Sequence, residues 1–238
     1  GRVYERPARA SHASMTTPIK TRRVFVTGAT GYLGARLIPR LLARGHHVTA
    51  LTRTASAGSV PSGCGVVVGN PLESGTFVEQ VRGADTLVQL VGVPKPAPWK
   101  GPQFRAIDGP SAMAAIRAAR EAGVRHMVYV SVAHPAPIMR DYIAVRIDCE
   151  AAIAQAGVIA TILRPWYILG PGHWWPLVLQ PVYRLLEQIP VTREAAMRLG
   201  LVTISNMLAT IVWSIEHPPE RTRMIEVPEI RRLARSHQ

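Results

Sequence analysis

A glycine-rich turn directly after a short apolar segment constrains the fold more than any other feature of this sequence. Val24-Phe25-Val26 leads into the turn, residues 27–34, which opens a stretch with helical periodicity. Gly28 permits the tight bend, Gly31 lets backbone N–H groups approach a pyrophosphate, and Gly34 permits close packing of helix on strand. The spacing therefore predicts a dinucleotide site. The other side chains of this predicted site are Thr27, Thr30, Tyr32 and Leu33.

Short apolar segments rich in β-branched residues alternate with helix-like segments along most of the chain. The predicted strands are residues 22–27, 48–51, 66–68, 86–91, 126–130 and 159–163. The predicted helices are residues 32–44, 75–81, 104–122 and 142–156. This alternation is typical of an α/β fold with a doubly wound parallel sheet, the Rossmann fold. Pro39 and Pro110 fall inside predicted helices, where we expect a kink or a restart.

The chain of 238 residues is long enough for one such domain, which we predict over residues 15–238. Residues 1–14 are arginine-rich and lack periodicity, so we expect a disordered extension. After Pro165 the pattern changes, and residues 166–238 are predicted to contribute a small substrate cap. In this segment one amphipathic helix is expected to pack on the sheet. Its apolar positions are Ile204, Met207, Leu208, Ile211, Val212 and Ile215.

The aromatic stretch 166–175 would line the cleft at the carboxyl ends of the strands, which favours a small apolar or aromatic substrate. Two other interpretations stay open. The tryptophans could simply pack the cap. They could also form a membrane-surface patch with Leu177, Val178, Leu179 and Leu185.

Charge and cysteine content favour a cytoplasmic protein without a specific nucleic-acid partner. The net charge is +13, but the basic residues are almost all arginine and many lie in the two tails, without a recognition motif. No apolar stretch is long enough to span a membrane. Cys64 and Cys149 lie far apart, so we expect neither a disulfide nor a metal site.

The choice of cofactor follows from the end of the second predicted strand. An NAD site needs a carboxylate there to bind the ribose 2′-hydroxyl, yet no acidic residue lies between Gly34 and Glu73. Arg53 instead offers a permanently charged fork suited to a 2′-phosphate. NADP(H) is therefore predicted in preference to NAD(H).

The glycine turn and four further segments resemble the extended and atypical short-chain dehydrogenase/reductases, particularly the NmrA-like and complex I subunit-like branches. The further segments are Gly69-Asn70, Tyr129-Val130-Ser131, Leu163-Arg164-Pro165 and Val227-Pro228-Glu229. The resemblance covers nearly the whole folded chain and implies an NAD(P)-binding Rossmann fold. The additional cofactor-binding positions are Asn70, Val91, Gly92, Val93 and Pro165.

The same resemblance implies a Tyr-x-x-x-Lys pair on the helix after the fifth strand, with a serine at the end of that strand. The corresponding residues here are Tyr142, Arg146 and Ser131. Positions 142 and 146 share a helix face, so the arginine can stabilise a phenolate and hold a ribose hydroxyl. Arginine does not readily release a proton, however, and Asp108 stands where the family has a supporting asparagine.

Three functions are compatible with these residues. The first is an NADPH-dependent oxidoreductase acting on an apolar carbonyl or quinone-like acceptor, and the second is a non-catalytic NADP(H)-binding redox sensor or assembly module. The third is a charge-driven binder of nucleic acid or acidic membrane, which no motif supports. His134, a single loop histidine near the predicted substrate, is interpreted as solvated. The oligomeric state stays open.

Overall fold

The predicted parallel sheet forms, with one strand more than predicted. The computed structural model describes residues 20–136, 138–171 and 199–236. In chain order the strands of the main sheet are β1 Arg23–Thr27, β2 His47–Thr52, β3 Gly65–Val68, β4 Thr86–Gln89, β5 His126–Val130, β6 Ala160–Arg164 and β9 Arg223–Glu226. They lie in the order β3-β2-β1-β4-β5-β6-β9, and all six neighbouring pairs are parallel. The Rossmann prediction is confirmed.

The additional strand, β9, was missed because it is a short edge strand with little apolar pattern. It pairs only with β6, it reads Arg-Met-Ile-Glu, and only Ile225 is buried. Met224 points to solvent with 53% of its surface exposed. An edge strand with one solvated face can keep polar residues at most positions, which leaves a weak sequence signal.

Helices cover both faces of the sheet. They are α1 Gly34–Ala43, α2 Val78–Val81, α3 Gly101–Gln103, α4 Gly109–Glu121, α5 Arg140–Gln155, α6 Ile204–Glu216 and α7 Val227–Ser236. Side chains alternate across β1, so Phe25 packs on the face with α4 and α5 while Val24 and Val26 pack on the face with α1 and α6. Met207 and Ile211 are buried in this second face, which confirms that the predicted amphipathic helix packs on the sheet.

The two helix prolines behave differently. α1 runs through Pro39 without a break, so a restart does not occur there, and the proline is exposed on the outer face of the helix. At Pro110 the helix does not restart either, because a π-helical turn over Phe104–Asp108 joins α3 to α4 without a break in the helical backbone. Pro110 is the second residue of α4 and directly follows this π-helical turn, so the irregularity that the proline predicts takes the form of a π-helical turn.

The segment after β6 is described only in part. Two short strands, β7 Tyr167–Leu169 and β8 Leu201–Thr203, pair in parallel outside the main sheet. Residues 172–198 lie outside the described part, and with them Trp174, Trp175 and the leucines of the predicted membrane patch. The substrate cap therefore stays a prediction. Among the described residues, no helix is long and apolar enough to cross a bilayer.

A buried histidine in β5 makes the stability of the fold depend on pH. His126 is 1% exposed between the hydroxyls of Thr86 and Thr161, and burial together with Arg22 and Arg223 lowers its pKa from 6.5 to about 4. Below pH 6.5 the unfolded chain takes up a proton that the folded chain rejects. We expect the free energy of unfolding to fall by about 3 kcal/mol through this group between pH 7 and pH 4.

Urea denaturation of His126→Asn across this range tests the expectation. The variant should lose less stability than the wild type on acidification, whereas His47→Asn, at an exposed position of β2, should follow the wild-type curve. If the free energy of unfolding fell equally with pH in the wild type and in His126→Asn, His126 would not be the cause of the pH dependence.

Candidate cofactor and active site

The glycine turn between β1 and α1 approaches the end of β4 so closely that a side chain does not fit. Gly28 has a φ of +69°, and a Cβ placed on it would lie 2.7 Å from the carbonyl carbon of Leu90 and 2.8 Å from the nitrogen of Val91. A Cβ on Gly34 would lie 2.8 Å from the Cα of Ala29. Gly31 is exposed and donates its N–H to the carbonyl of Gly28 at 3.0 Å. The turn therefore presents bare backbone at the start of a helix.

The side chains of the turn mainly hold it in place. Thr27 is buried, and its hydroxyl bonds the side chain of Gln89 and accepts the N–H of Leu90 at 3.4 Å. Tyr32 lies under the guanidinium of Arg36, 4.7 Å from ring centre to Cζ, and burial raises the pKa of its hydroxyl. The remaining two predicted residues, Thr30 and Leu33, are half-buried.

The predicted selectivity residue, Arg53, directly follows β2 at the same edge of the sheet. Its side chain is exposed, and no hydrogen bond or ion pair holds it within the part of the chain that the structure describes. Asn70 follows β3, but its amide donates to Glu73 at 2.7 Å and accepts the N–H of Leu72 at 3.1 Å. Arg53 is thus available to a ligand, while the Asn70 side chain stabilises its own turn.

Arg146 on α5 points inwards and forms a buried ion pair with Asp108. Its Nη2 donates to Asp108 Oδ1 at 2.5 Å, and its Nη1 donates to the carbonyl of Val130 at 2.9 Å and to the hydroxyl of Tyr129 at 3.2 Å. Arg146 is 6% exposed and Asp108 is fully buried. The sequence placed Asp108 at a position that supports residue 146, but it did not predict a direct ion pair, because a contact between residues 38 positions apart leaves no local pattern.

Tyr142 lies directly above this pair. The Arg146 Cζ is 4.9 Å from the centre of the Tyr142 ring, and the Phe104 ring packs at a tilt against the same ring, at 4.9 Å between centres. Tyr142 is half-buried, so its ring is fixed by neighbours while part of it stays open. The predicted i, i+4 relation between Tyr142 and Arg146 therefore brings the ring and the cation into contact.

Burial and charge compete within this cluster. Burial raises the pKa of Asp108, and the neighbouring Arg146 acts against that rise. Burial also raises the pKa of Tyr129 well above 10. For Arg146 burial alone would lower the pKa, but Tyr142, Tyr129 and Asp108 outweigh it and raise the pKa. Arg146 therefore keeps its positive charge at every pH at which the protein is folded.

Ser131 at the end of β5 belongs to a second polar cluster. Its hydroxyl donates to Glu150 at 2.5 Å, and Arg164 at the end of β6 binds the same carboxylate through Nε, at 3.1 Å, and Nη2. His134 has a side chain only 19% exposed, with Nε2 3.7 Å from Glu150, so its interpretation as a solvated histidine is wrong. Glu150 was missed, although it lies four residues after Arg146 on the same helix face.

Two observations show that the residues at the carboxyl edge of the sheet fit a dinucleotide. The Nε of Arg146 is buried without a hydrogen-bond partner among the described residues, so the guanidinium retains a donor that a ribose hydroxyl could satisfy. The glycine turn offers backbone with no room for side chains. The loop after β4, with Val91, Gly92 and Val93, lies beside the turn, and Pro165 follows β6 at the same edge.

Comparison with known proteins identifies the family of this chain. A family model described as NAD(P)H-binding matches residues 28–171. A ceramide reductase of Caulobacter vibrioides is 28% identical over 218 residues, which cover 88% of this chain and 65% of that protein. A 4-hydroxy-2-methyl-3-oxo-4-farnesyl-3,4-dihydroquinoline-1-oxide ketoreductase of Stigmatella aurantiaca is 29% identical over 170 residues, which cover 62% of this chain and 51% of that protein. The matched part of the chain thus spans between half and just under two thirds of the length of these two relatives.

The fold also matches solved structures. The Bordetella bronchiseptica enzyme WbmH, in complex with NAD+, superposes with a TM-score of 0.65 at 16% identity, covering 87% of this chain and 76% of that one. The sheet order, the glycine turn and the matched family model lead to one assignment. The chain belongs to the NAD(P)H-binding family of extended and atypical short-chain dehydrogenase/reductases.

Proposed function

We propose that this protein is an NADPH-dependent reductase that acts on an apolar carbonyl or quinone-like substrate. The observation that carries the proposal is the contact between Tyr142 and the buried, permanently charged Arg146, next to a turn shaped for a dinucleotide. A phenol over a fixed cation at the carboxyl end of a parallel sheet is suited to proton transfer beside a bound nucleotide.

Each residue has a defined role in this proposal. Bound NADPH supplies a hydride to the carbonyl carbon of the substrate. The phenol of Tyr142 donates its proton to the carbonyl oxygen, the charge of Arg146 stabilises the resulting phenolate, and a proton from water then restores the phenol. The free Nε of Arg146 anchors the cofactor ribose. Ser131 turns its hydroxyl from Glu150 towards the carbonyl oxygen of the substrate.

The relatives support a reduction of lipid-like molecules. One is named for ceramide and another for a farnesyl-bearing ketone, and both substrates combine a polar head with a long apolar chain. We also propose the cytoplasm as the location, since both Cys64 and Cys149 are free thiols, as is usual in a reducing compartment. Within the family we propose the NmrA-like or the complex I subunit-like branch, on the resemblance of the glycine turn.

The reductase is tested by NADPH oxidation with decanal and menadione as acceptors. We expect turnover by the wild type, and a fall in kcat of about a hundredfold or more for Tyr142→Phe, because the variant lacks the proton donor. The affinity of Tyr142→Phe for NADPH, measured by nucleotide fluorescence, should stay within about twofold of the wild type, since the ring contacts remain. Full activity in Tyr142→Phe would rule out this role.

The preference for NADPH rests on Arg53 and is tested by Arg53→Ala. Loss of a charge-assisted contact to the 2′-phosphate should weaken NADPH binding about tenfold to a hundredfold and leave NADH binding unchanged. Arg117→Ala, which removes an exposed arginine on α4, is the matched control and should alter neither affinity. Equal losses for both nucleotides in Arg53→Ala would contradict the assignment.

A second candidate, a non-catalytic NADP(H)-binding module, is favoured by one specific observation. Arg146 and Ser131 both have internal partners, in Asp108 and Glu150 respectively, so neither is poised solely for a substrate. NADPH binding without oxidation of NADPH by either acceptor would favour this module over the reductase.

A further inference from the structure

A cavity of about 530 Å³ opens at the amino edge of the sheet, opposite the proposed cofactor site. Its walls come from the segments that lead into β4, β5 and β6 and from the turns that follow α4 and α5. The volume lies within the usual range of cavities that hold small organic ligands. None of the described residues that line this cavity belongs to the proposed cofactor or catalytic set, so a ligand here would be independent of the nucleotide.

The lining of the cavity is basic. Arg22, Arg120 and Arg125 all line it, and Asp85 is the one acid among its described residues. Asp85 already has partners, because its carboxylate accepts the N–H of Arg23 at 2.8 Å and binds the guanidinium of Arg125. Arg22 and Arg120 form no ion pair within the described part of the chain, so their two positive charges remain uncompensated.

The guanidinium of Arg22 also lacks an acceptor. Its Nε is buried and has no hydrogen-bond partner among the residues that the structure describes. A buried donor without an acceptor is costly, and such a group often marks a place that an ion or a water molecule fills. A bound oxyanion would give this guanidinium its acceptor.

The histidine in the lining of the cavity is affected by the same positive charges. Burial is the main cause of the low pKa of His126, and the charges of Arg22 and Arg223 lower this pKa further. The hydrogen-bonding neighbours of the ring, Thr86 and Thr161, carry no charge. The electrostatic potential beside His126 is therefore positive, which favours an anion in the cavity.

Two helix ends oppose this potential without cancelling it. α4 ends at Glu121 and α5 ends at Gln155, and the carboxyl end of a helix carries about half a negative charge. The two ends together amount to about one negative charge. The uncompensated charges of Arg22 and Arg120 exceed this amount, so the cavity keeps a positive balance.

We propose that this cavity is a second ligand site, which binds a phosphate monoester with a small apolar body. Arginine pairs with phosphate through parallel N–H···O bonds, and a phosphate monoester carries nearly two negative charges at pH 7. Apolar side chains complete the lining and would contact the organic part of the ester. They are Ala119, Val124, Val158, Pro218 and Pro219. This site does not depend on the proposed reductase, because it lies at the opposite edge of the sheet.

Phenyl phosphate is the probe for this site, and titration calorimetry at pH 7 and constant ionic strength measures its binding. We expect the wild type to bind it, and the Kd to increase about tenfold or more in Arg22→Gln and in Arg120→Gln, because each variant loses a charge-assisted contact. Arg117→Gln removes an exposed arginine of α4 outside the cavity, and Arg53→Ala removes the arginine of the proposed cofactor site. Both controls should bind phenyl phosphate with the wild-type Kd.

Two further measurements locate the probe and identify its class. In NMR spectra, phenyl phosphate should shift the ring resonances of His126 but not those of His134, which lies at the opposite edge of the sheet. Benzoate should bind more weakly than phenyl phosphate, and phenol should not bind. Tighter binding of benzoate would overturn the assignment to a phosphate ester. Absence of phenyl phosphate binding, or wild-type Kd values in both Arg22→Gln and Arg120→Gln, would overturn the site itself.

Discussion

Alanine at position 28 is expected to weaken NADPH binding at least about a hundredfold, because the turn can no longer close on the end of β4. The positive φ of Gly28 alone costs an alanine about 1–2 kcal/mol. The larger cost is the contact with the Leu90 and Val91 backbone at 2.7 and 2.8 Å, since backbone atoms directly after a buried strand cannot move aside as a flexible side chain would. The two loops must separate, and the backbone surface that faces the pyrophosphate separates with them.

Gly123→Ala is the matched control for this prediction. Gly123 has a φ of +67°, almost the same as Gly28, but nothing lies within 4 Å of a Cβ placed on it. The control carries the backbone strain without the contact, so it should lose about 1 kcal/mol of stability and bind NADPH as the wild type does. The two variants are compared by nucleotide fluorescence and thermal unfolding. Equal affinities in Gly28→Ala and Gly123→Ala would show that the close approach is unimportant.

Arg146→Met is expected to lower the free energy of unfolding by about 3–5 kcal/mol, because it leaves the buried Asp108 carboxylate without its cation. The hydroxyl of Tyr129 and the carbonyl of Val130 lose their donor as well. Without Arg146, the rise that burial causes in the pKa of Asp108 is opposed mainly by the N–H of Val93. A folded-state pKa above the unfolded value means that stability is lost as pH rises, so the defect should be larger at pH 8 than at pH 5.

A double variant separates lost packing from the unpaired charge. Asp108→Asn combined with Arg146→Met removes both charges, so urea denaturation should show the double variant to be more stable at pH 8 than Arg146→Met alone. Arg117→Met, at an exposed position, should lie within about 0.5 kcal/mol of the wild type. If the double variant were less stable than Arg146→Met, the uncompensated charge would not be the cause of the loss.

The fold could be predicted from local patterns, because each core strand is a short apolar run and the glycine turn requires a strand before it and a helix after it. The strand that escaped prediction, β9, is polar at its edge and becomes a strand only through pairing with β6. Tertiary contact decides such a segment, and sequence periodicity does not. Local pattern likewise did not show that α1 would continue through Pro39, which is exposed on the outer face of the helix.

The sequence predicted which residues belong to the site, but it did not predict which of them contact one another. The pattern placed Tyr142 and Arg146 on one helix face, and the structure brings them together. It did not indicate that Arg146 turns inwards to Asp108, nor that Ser131 and Arg164 share Glu150, because these contacts join elements far apart in the chain. The residues named for cofactor binding and catalysis remain predictions for the experiments above.

The ion pair beneath Tyr142 has a consequence for how the protein would take up and release its nucleotide. If Arg146 were buried without a counter-charge from the chain, the protein would need the negative charge of the nucleotide in order to fold. The empty protein would then unfold, or the nucleotide would stay bound permanently. Asp108 supplies that negative charge from within the chain. In the proposed reductase the empty form would therefore persist between turnovers, which suits a nucleotide that would leave oxidised after each cycle and be replaced from solution.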